Sequence, residues 1–298
     1  MIAAIESTRE AQVITEPAES YHQRQEISRG MLADLFESPR IYEGRYITGA
    51  IPPKEPTPAM KKGSLAHAAL LEPDTVLERY AVMPQYELDA ANCTAQGKSS
   101  TSKVTKYYEQ KEAAFIAANP GKQIVDQAAF EMVRGMAASL DRECGLWLQT
   151  DGMVERTLVW EHPATGLMCR CRVDWARFTK RETVIGFDLK GTADPTPRSF
   201  QNRIEEGLWL QRAHYSEGLA IALKMPVEDF FFVATEFDKP HRCFAYNLDP
   251  RSVQRAVEAR EELMQDLALR LGSGNFADPQ EGKVMSVSVR DFAFKRGE

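Results

Sequence analysis

The sequence predicts an α/β or α+β fold in which helices flank a central mixed β-sheet. Three β-rich runs between residues 153 and 190, MVERTLVWE, LMCRCRVDWARF and TVIGFDLK, are joined by the polar turns HPATG and TKRE, a pattern typical of antiparallel strands. The chain before them, from about residue 26 to 150, has helical apolar spacing. A helical N-terminal part packed on a sheet accounts for both observations.

The N-terminal part divides into a leader and several helices. Residues 1–25 are polar, lack apolar periodicity and are expected to form a flexible leader. Ser28 is a suitable cap for a helix that Pro39 ends, and four prolines between Ile47 and Pro58 predict an extended loop. Further helices are expected over 63–73, around 104–118 and around 124–142.

Helices and strands alternate again after the third β-rich run. A long helix is expected from about Phe200 to Lys224, followed by two strand-like runs, DFFFVATEF and RCFAYNL. The run SVQRAVEAREELMQDLALRL predicts an amphipathic helix whose apolar side contains Val253, Val257, Leu263, Leu267 and Leu271. We therefore expect one domain over residues 26–298, with a helical part (26–150), a sheet core (151–250) and a C-terminal helix and tail (251–298).

Composition excludes several classes of protein. The chain has 298 residues, with 43 acidic and 37 basic side chains, a net charge of −6 and 43% hydrophobic residues, which is typical of a globular protein. It has no run of about 18 apolar residues, and Glu6 and Arg9 interrupt any signal-peptide core, so we expect a cytoplasmic protein with no membrane partner. Five scattered cysteines without a C-x-x-C pair argue against a disulfide framework and a zinc ribbon.

The third β-rich run carries the residues of greatest chemical interest. Side chains alternate along a strand, so Asp188 and Lys190 share one face of TVIGFDLK, opposite the apolar face. The same alternation in the preceding run places Asp174 on one face with Arg170 and Arg172. If the two runs pair as a hairpin, Asp174 and Asp188 face each other, and a hard cation such as Mg²⁺ between them would keep both ionised.

An acid two residues before a lysine is a common pattern and is weak by itself. The chain has three such triplets: Glu109 to Lys111, Asp188 to Lys190, and Glu281 to Lys283. The first lies in a predicted polar helix and the third in a loop, where solvated surface roles are expected. Only the second ends an apolar strand and has another acid one strand upstream, although a surface salt bridge is also an open interpretation of it.

Three further residues bear on the interpretation of this site. Gln211 and Tyr215 are four residues apart and share one helix face, where they could contact a phosphate or orient a catalytic group. Packing is the alternative for Tyr215. His67, on the short Ala/Leu helix, is either a core histidine or the imidazole that completes a metal site built from two carboxylates.

The order of these elements resembles that of the PD-(D/E)XK nuclease superfamily. Within it, the chain is most similar to phage recombination exonucleases of the exodeoxyribonuclease VIII type and to the nuclease domain of RecB. The resemblance covers residues 26 to 250 and rests on five elements in order: S-x-x-x-L with a following proline (Ser28, Leu32, Pro39), G-x-x-x-H (Gly63, His67), an acid closing the second strand (Asp174), D-x-K (Asp188, Lys190) and Q-x-x-x-Y (Gln211, Tyr215).

The resemblance implies a restriction-endonuclease-like core and a set of site residues. In that family's arrangement His67, Asp174, Asp188 and the Leu189 carbonyl would ligate Mg²⁺, with Mn²⁺ as a substitute, and Lys190 would position or activate water. Gln211 and Tyr215 would support the site or hold the DNA backbone. Glu155, on the first strand, is a further candidate acid whose side the sequence does not determine. Because no cysteine follows Cys243, we expect no iron–sulfur cluster of the kind some relatives carry.

The implied activity is Mg²⁺-dependent hydrolysis of linear duplex DNA from an end, in phage or prophage recombination within a bacterial host. A 5′–3′ polarity, a homo-oligomer and a single-strand annealing partner are implied by the resemblance only. Basic residues around the site and in a second group are expected to contact phosphates: Arg170, Arg172, Arg177, Lys180, Arg181, Arg198, Arg203, Arg212, and then Lys98, Lys103 and Lys106.

Three alternatives remain open at this point. The first is a RecB-like or CRISPR-associated nuclease that acts on single-stranded DNA. The second is a non-catalytic DNA-binding scaffold of the same fold, which the intact set of His67, Asp174, Asp188 and Lys190 argues against. A hydrolase of a small phosphoester is the third, and the long helical N-terminal part and the basic residues suit a polymer better.

Overall fold

The β-rich runs form the centre of a six-stranded mixed sheet. The computed structural model describes residues 10–55, 57–73, 76–86, 101–148 and 151–289. In chain order the strands are β1 (Gln12–Ile14), β2 (Tyr80–Val82), β3 (Gln123–Val125), β4 (Gly152–Glu161), β5 (Met168–Phe178), β6 (Val184–Thr192), β7 (Val227–Glu236) and β8 (Cys243–Tyr246). The sheet order is β1-β4-β5-β6-β7-β8, antiparallel except for the parallel β6–β7 pair, while β2 and β3 form a separate parallel pair.

Helices cover both faces of this sheet, which confirms the predicted fold class. They are α1 (Ala18–Gln23), α2 (Arg29–Glu37), α3 (Pro39–Tyr42), α4 (Pro58–Leu71), α5 (Val76–Arg79), α6 (Thr101–Ala118), α7 (Gln127–Leu148), α8 (Pro197–Arg203), α9 (Trp209–Leu223) and α10 (Pro250–Ser273). Among the described residues, π-helical segments occur at Glu43–Ile47 and Ile204–Leu208. In the described parts of the chain, no helix combines the length and apolar character needed to cross a bilayer.

Each face of the sheet has its own apolar core. On one face α2, α9 and α10 bury a large cluster that includes Trp160, Cys171 and Phe230. On the other face α4 and α7 pack over a smaller cluster that includes Phe187 and Leu189. The apolar residues of β6 are therefore divided between the two layers, with Val184 in the larger cluster and Phe187 and Leu189 in the smaller one.

Local sequence signals explain how several elements begin and meet. The Ser28 hydroxyl accepts a hydrogen bond from the Met31 amide at 3.3 Å and caps α2, as predicted. Pro39 ends α2 but also occupies the first turn of α3, where proline is well tolerated. Gly218 allows α9 to lie close to the sheet, because a Cβ at this position would come within 2.7 Å of the Trp160 ring.

The structure differs from the sequence-based expectations in several places. The expected leader contains β1, which pairs with β4 through its main chain while its side chains stay largely exposed, so no apolar pattern marks it. The expected helix from Phe200 to Lys224 is interrupted by a π-helical segment, in which Gly207 has a φ of 130°. The sequence analysis also missed the short strand β3. Val257 and Leu271 of α10 are 49% and 40% exposed, and Ala256, Met264 and Leu267 form its buried side.

A buried histidine of α9 gives the fold a specific response to acid. His214 is fully buried, its Nε2 lies 3.0 Å from the Arg170 carbonyl oxygen, and its Nδ1 has no hydrogen-bond partner among the described residues. Burial and the nearby Arg260 guanidinium lower the pKa of His214 to about 3. The folded protein therefore resists protonation of this ring over a range in which an unfolded chain, with a histidine pKa of about 6.5, accepts it.

We predict that His214→Gln reduces the loss of stability in acid. Below about pH 6 the unfolded chain binds one more proton at this residue than the folded chain, so the wild-type free energy of unfolding falls by up to about 1.4 kcal/mol per pH unit from this group alone. Glutamine cannot ionise and can still donate to the Arg170 carbonyl. Urea denaturation of both proteins from pH 8 to pH 4 tests this, and two parallel stability curves would contradict it.

Candidate metal-binding site

Three buried acids lie in one row across three neighbouring strands. In the antiparallel β4–β5 register, Glu155 stands across from Asp174. The β5–β6 pairing ends at Trp175–Phe187, one position before Asp174 and Asp188, and these two carboxylates interact electrostatically. The three acidic residues are only 8%, 7% and 2% exposed, respectively. The hairpin geometry thus brings together the two aspartates that the sequence singled out and adds Glu155 to them.

His67 meets this row from the helix layer above it. Its Nδ1 lies 3.5 Å from Asp174 Oδ2 and 3.7 Å from Glu155 Oε1, while its Nε2 lies 2.8 Å from the Leu189 carbonyl oxygen. The Leu189 amide in turn donates to Asp174 Oδ2 at 2.7 Å. α4 therefore places one imidazole against two carboxylates and a main-chain carbonyl that come from three different strands.

Asp188 is held from the opposite helix layer. Gln211 of α9, which is 2% exposed, donates from Nε2 to Asp188 Oδ1. The Lys190 Nζ lies 2.5 Å from Asp188 Oδ2, so the two residues of the D-x-K triplet share one face of β6 as predicted. Arg29 extends the network by donating to Gln211 Oε1 at 3.5 Å. The sequence analysis did not single out Arg29, although it directly follows the Ser28 cap.

The clustered charges shift the ionisation of the site. Burial, together with the negative charges of Asp188 and Glu155, raises the pKa of Asp174 to about 7 despite the opposing effect of His67. Burial alone would lower the pKa of His67, but Asp174 and Glu155 outweigh it and raise that pKa to about 9. Burial would likewise raise the pKa of Glu155, yet His67 and Arg172 bring it below its usual range. The row of acids thus favours a positive charge at its centre.

The donor atoms at this centre suit a divalent cation. One ligand atom each from His67, Glu155 and Asp174 lies within 4.8 Å of the others, and the Leu189 carbonyl points at the same imidazole. Carboxylate and carbonyl oxygens with one imidazole form a set that accepts Mg²⁺ or Mn²⁺. The raised pKa of Asp174 shows the cost of holding this set without a cation, so the residues present fit such an ion.

Glu155 could have been assigned to the site from the sequence. The turn HPATG joins β4 to β5, and counting back from the pair Glu161–Met168 at that turn brings Glu155 opposite Asp174. The side of Glu155 stayed undetermined because strand alternation alone does not give the register of the hairpin. Glu155 also has a φ of 48°, a left-handed conformation that is uncommon for residues other than glycine.

The remaining predicted site residues lie in other surroundings. Tyr215 packs its ring edge-on against Phe230, with ring centroids 6.2 Å apart, and burial raises the pKa of its phenol well above the usual range. Arg170 is 6% exposed and donates to the Tyr21 and Arg24 carbonyls. Lys98 lies outside the described residues. The phosphate contacts expected of these residues stay predictions.

Arg172 is engaged inside the protein as well. Its Nε donates to Glu155 Oε2 at 2.6 Å, and its Nη1 donates to the Glu16 carbonyl at 2.6 Å. The side chain is 10% exposed. Among the other basic residues expected near the site, Arg212 is buried, and Arg203 donates to the Gly191 carbonyl at 3.2 Å, whereas Lys180 and Arg198 are exposed.

Two solved structures align with this chain. A solved structure described as a "Putative exonuclease" from Eubacterium rectale aligns with 96% of this chain and 100% of its own length, with a TM-score of 0.55 and 11% identity, a likeness of fold alone. The structure of SSO0001 aligns with 54% of this chain and 69% of its own, with a TM-score of 0.27 and 16% identity. A search among curated proteins finds no match.

A family model gives the assignment. The model of the PDDEXK-like domain of unknown function (DUF3799) matches residues 37–273, which include every acid of the row, His67, Lys190 and Gln211. Since the match extends over most of the sequence, the chain belongs to this family of PDDEXK-like domains.

Proposed function

We propose that this protein is a Mg²⁺-dependent deoxyribonuclease that hydrolyses phosphodiester bonds of linear duplex DNA from an end. The observation that carries the proposal is the convergence of three buried acids, one imidazole and one lysine at a single position in the sheet. A metal-holding acid cluster beside a fixed ammonium group is what phosphodiester hydrolysis requires. Family membership supports the same chemistry.

Each residue has a definable part in that reaction. His67, Glu155, Asp174, Asp188 and the Leu189 carbonyl would hold the ion. When bound, Mg²⁺ supplies a Lewis acid that neutralises phosphate charge and lowers the pKa of a water molecule. Lys190 contributes a positive charge beside Asp188, where it can orient water or stabilise the increasing negative charge of the transition state. Gln211 donates to Asp188 Oδ1 and so keeps the other oxygen, Oδ2, directed at Lys190.

DNA binding in this proposal relies on exposed cations around the site. Lys180 and Arg198 are exposed on the segments that follow β5 and β6, so they can reach phosphates without unfolding part of the chain. Binding that depends on such contacts weakens steeply as salt increases. The end preference, the 5′–3′ polarity, the homo-oligomer and the annealing partner extend the proposal through the family resemblance described above.

Two other functions compete with this one. A nuclease of the same fold that prefers single-stranded DNA would use the same site residues, and substrate choice alone distinguishes it. A non-catalytic scaffold would bind DNA without needing the acids or Lys190. The buried row of like charges counts against a scaffold, because a protein that never holds a cation gains nothing from the raised pKa of Asp174.

We predict that Lys190→Ala lowers the rate of Mg²⁺-dependent cleavage of end-labelled linear duplex DNA by about a hundredfold or more, because a preorganised charge at the reacting phosphate is lost. The matched control is Lys283→Ala. Lys283 belongs to another acid-x-lysine triplet, and its ammonium group donates to the Pro279 carbonyl. This control should cleave at the wild-type rate.

The same assay separates the competing functions. Degradation of linear duplex, with circular duplex intact, supports the end-dependent nuclease, and the position of the label gives the polarity. Cleavage of circles would discard the exonuclease, and cleavage of single strands alone would favour the first competitor. DNA binding without hydrolysis of any substrate would favour the scaffold.

We predict that Asp174→Asn has opposite effects on stability with and without metal. In EDTA at pH 8 the variant should gain on the order of 1 kcal/mol in unfolding free energy, because burial next to two other acids disfavours the ionised Asp174. The thermal stabilisation that Mn²⁺ gives the wild type should disappear. Asp141→Asn, at an exposed position of α7, is the control, and Mn²⁺ should stabilise it like the wild type. Equal Mn²⁺ stabilisation of Asp174→Asn would contradict the metal site.

A further inference from the structure

Arg172 joins three parts of the chain that surround the row of acids. Besides Glu155 and the Glu16 carbonyl, its guanidinium contacts the Glu72 carboxylate, with Nη2 3.8 Å from Oε1. Glu72 is the residue that ends α4, the helix that carries His67. The other Glu72 oxygen accepts a hydrogen bond from Arg79 at 2.9 Å. One guanidinium therefore links β4, the N-terminal segment and the end of α4.

The contact with Arg172 gives the two oxygens of the Glu155 carboxylate different partners. Oε2 accepts the Arg172 Nε hydrogen bond at 2.6 Å, a short charge-assisted bond. Oε1 is left facing His67, 3.7 Å from its Nδ1, on the side where the other donor atoms converge. A carboxylate held in this way presents one oxygen in a defined direction.

Glu155 needs such support because its backbone is strained. A φ of 48° is unfavourable for a residue with a side chain, and such conformations persist when neighbouring contacts determine them. Arg172 is the residue directly across from Thr157, two positions further along β4, so its guanidinium lies alongside the strained residue. A bond between the two side chains holds the Glu155 carboxylate in the direction that the strained backbone gives it.

We propose that Arg172 is a positioning residue for metal binding, which directs Glu155 toward the cation and ties α4, with His67, to the same point. The proposal rests on the proposed metal-dependent function. It assigns Arg172 a role within the protein instead of the phosphate contact that the sequence suggested. Arginine suits this role because its planar group offers several donors at once, whereas lysine offers a single flexible charge.

Mn²⁺ binding measured by isothermal titration calorimetry, without DNA, tests the proposal independently of cleavage. Arg172→Gln should weaken Mn²⁺ binding by about tenfold, the usual effect of removing a group that orients a metal ligand. Arg172→Lys should lie between this variant and the wild type, because lysine can reach Glu155 but cannot contact Glu72 and the Glu16 carbonyl at the same time. It also serves as the test protein if Arg172→Gln does not fold.

Arg170→Gln is the matched control. Arg170 lies on the same strand two residues away, and it binds the same N-terminal segment through the Tyr21 and Arg24 carbonyls. In the described structure its hydrogen bonds reach no acid of the row, so the Mn²⁺ affinity of this variant should stay within twofold of wild type. A tenfold loss in both variants would show that the N-terminal segment, not Glu155, carries the effect, and would overturn the proposal.

A double-mutant cycle tests whether Arg172 affects Mn²⁺ binding through Glu155. In a Glu155→Gln background, Arg172→Gln should change Mn²⁺ affinity by less than twofold, because the residue it orients is already lost. A further tenfold loss there would overturn the proposal, as would unchanged affinity in the single variant Arg172→Gln. If the wild type itself binds no Mn²⁺, the proposed function fails together with this inference. If the wild type binds Mn²⁺ and cleaves DNA, the Mn²⁺ affinities of the variants test this inference separately from the proposed function.

Discussion

The structure is organised around the need to hold three carboxylates side by side out of contact with water. Glu155, Asp174 and Asp188 occupy successive strands at one level of the sheet and are almost fully buried. Like charges at this separation repel strongly in a medium of low polarity, and each must be matched by a donor or a cation. The elements packed around this level each contribute a group that does so: an imidazole, an ammonium, an amide and a guanidinium.

The two-layer architecture explains why these groups can be supplied from both sides. On β6, Phe187 and Leu189 face the α4 and α7 layer, while Asp188, paired with Lys190, contacts Gln211 of α9. His67 of α4 contacts the Leu189 carbonyl from one side of the sheet. Gln211 of α9 contacts Asp188 from the opposite side. The period-two alternation of one strand thus brings a carboxylate, a main-chain carbonyl and a lysine close together.

Much of this arrangement could be predicted because it depends on local rules. Strand alternation and short turns predicted that Asp174 and Asp188 would face each other. The alternation fails at Trp175, which packs in the Phe187 cluster although Val173, two residues before it, belongs to the Trp160 cluster on the other face. Main-chain pairing was harder to foresee, since β1 contributes hydrogen bonds and hardly any buried side chains.

The hydrogen-bond partners of the basic residues could not be predicted from the sequence. A run of arginines on alternate positions of a strand looks like a surface for phosphates, yet Arg170 and Arg172 donate to carbonyls of the N-terminal segment. These acceptors are main-chain atoms about 150 residues away in sequence, and no side-chain pattern marks them. The chain as a whole has a net charge of −6, which does not favour the approach of a polyanion. In the proposed function, attraction of DNA therefore depends on exposed cations such as Lys180 and Arg198 and on a cation that the buried acids would hold.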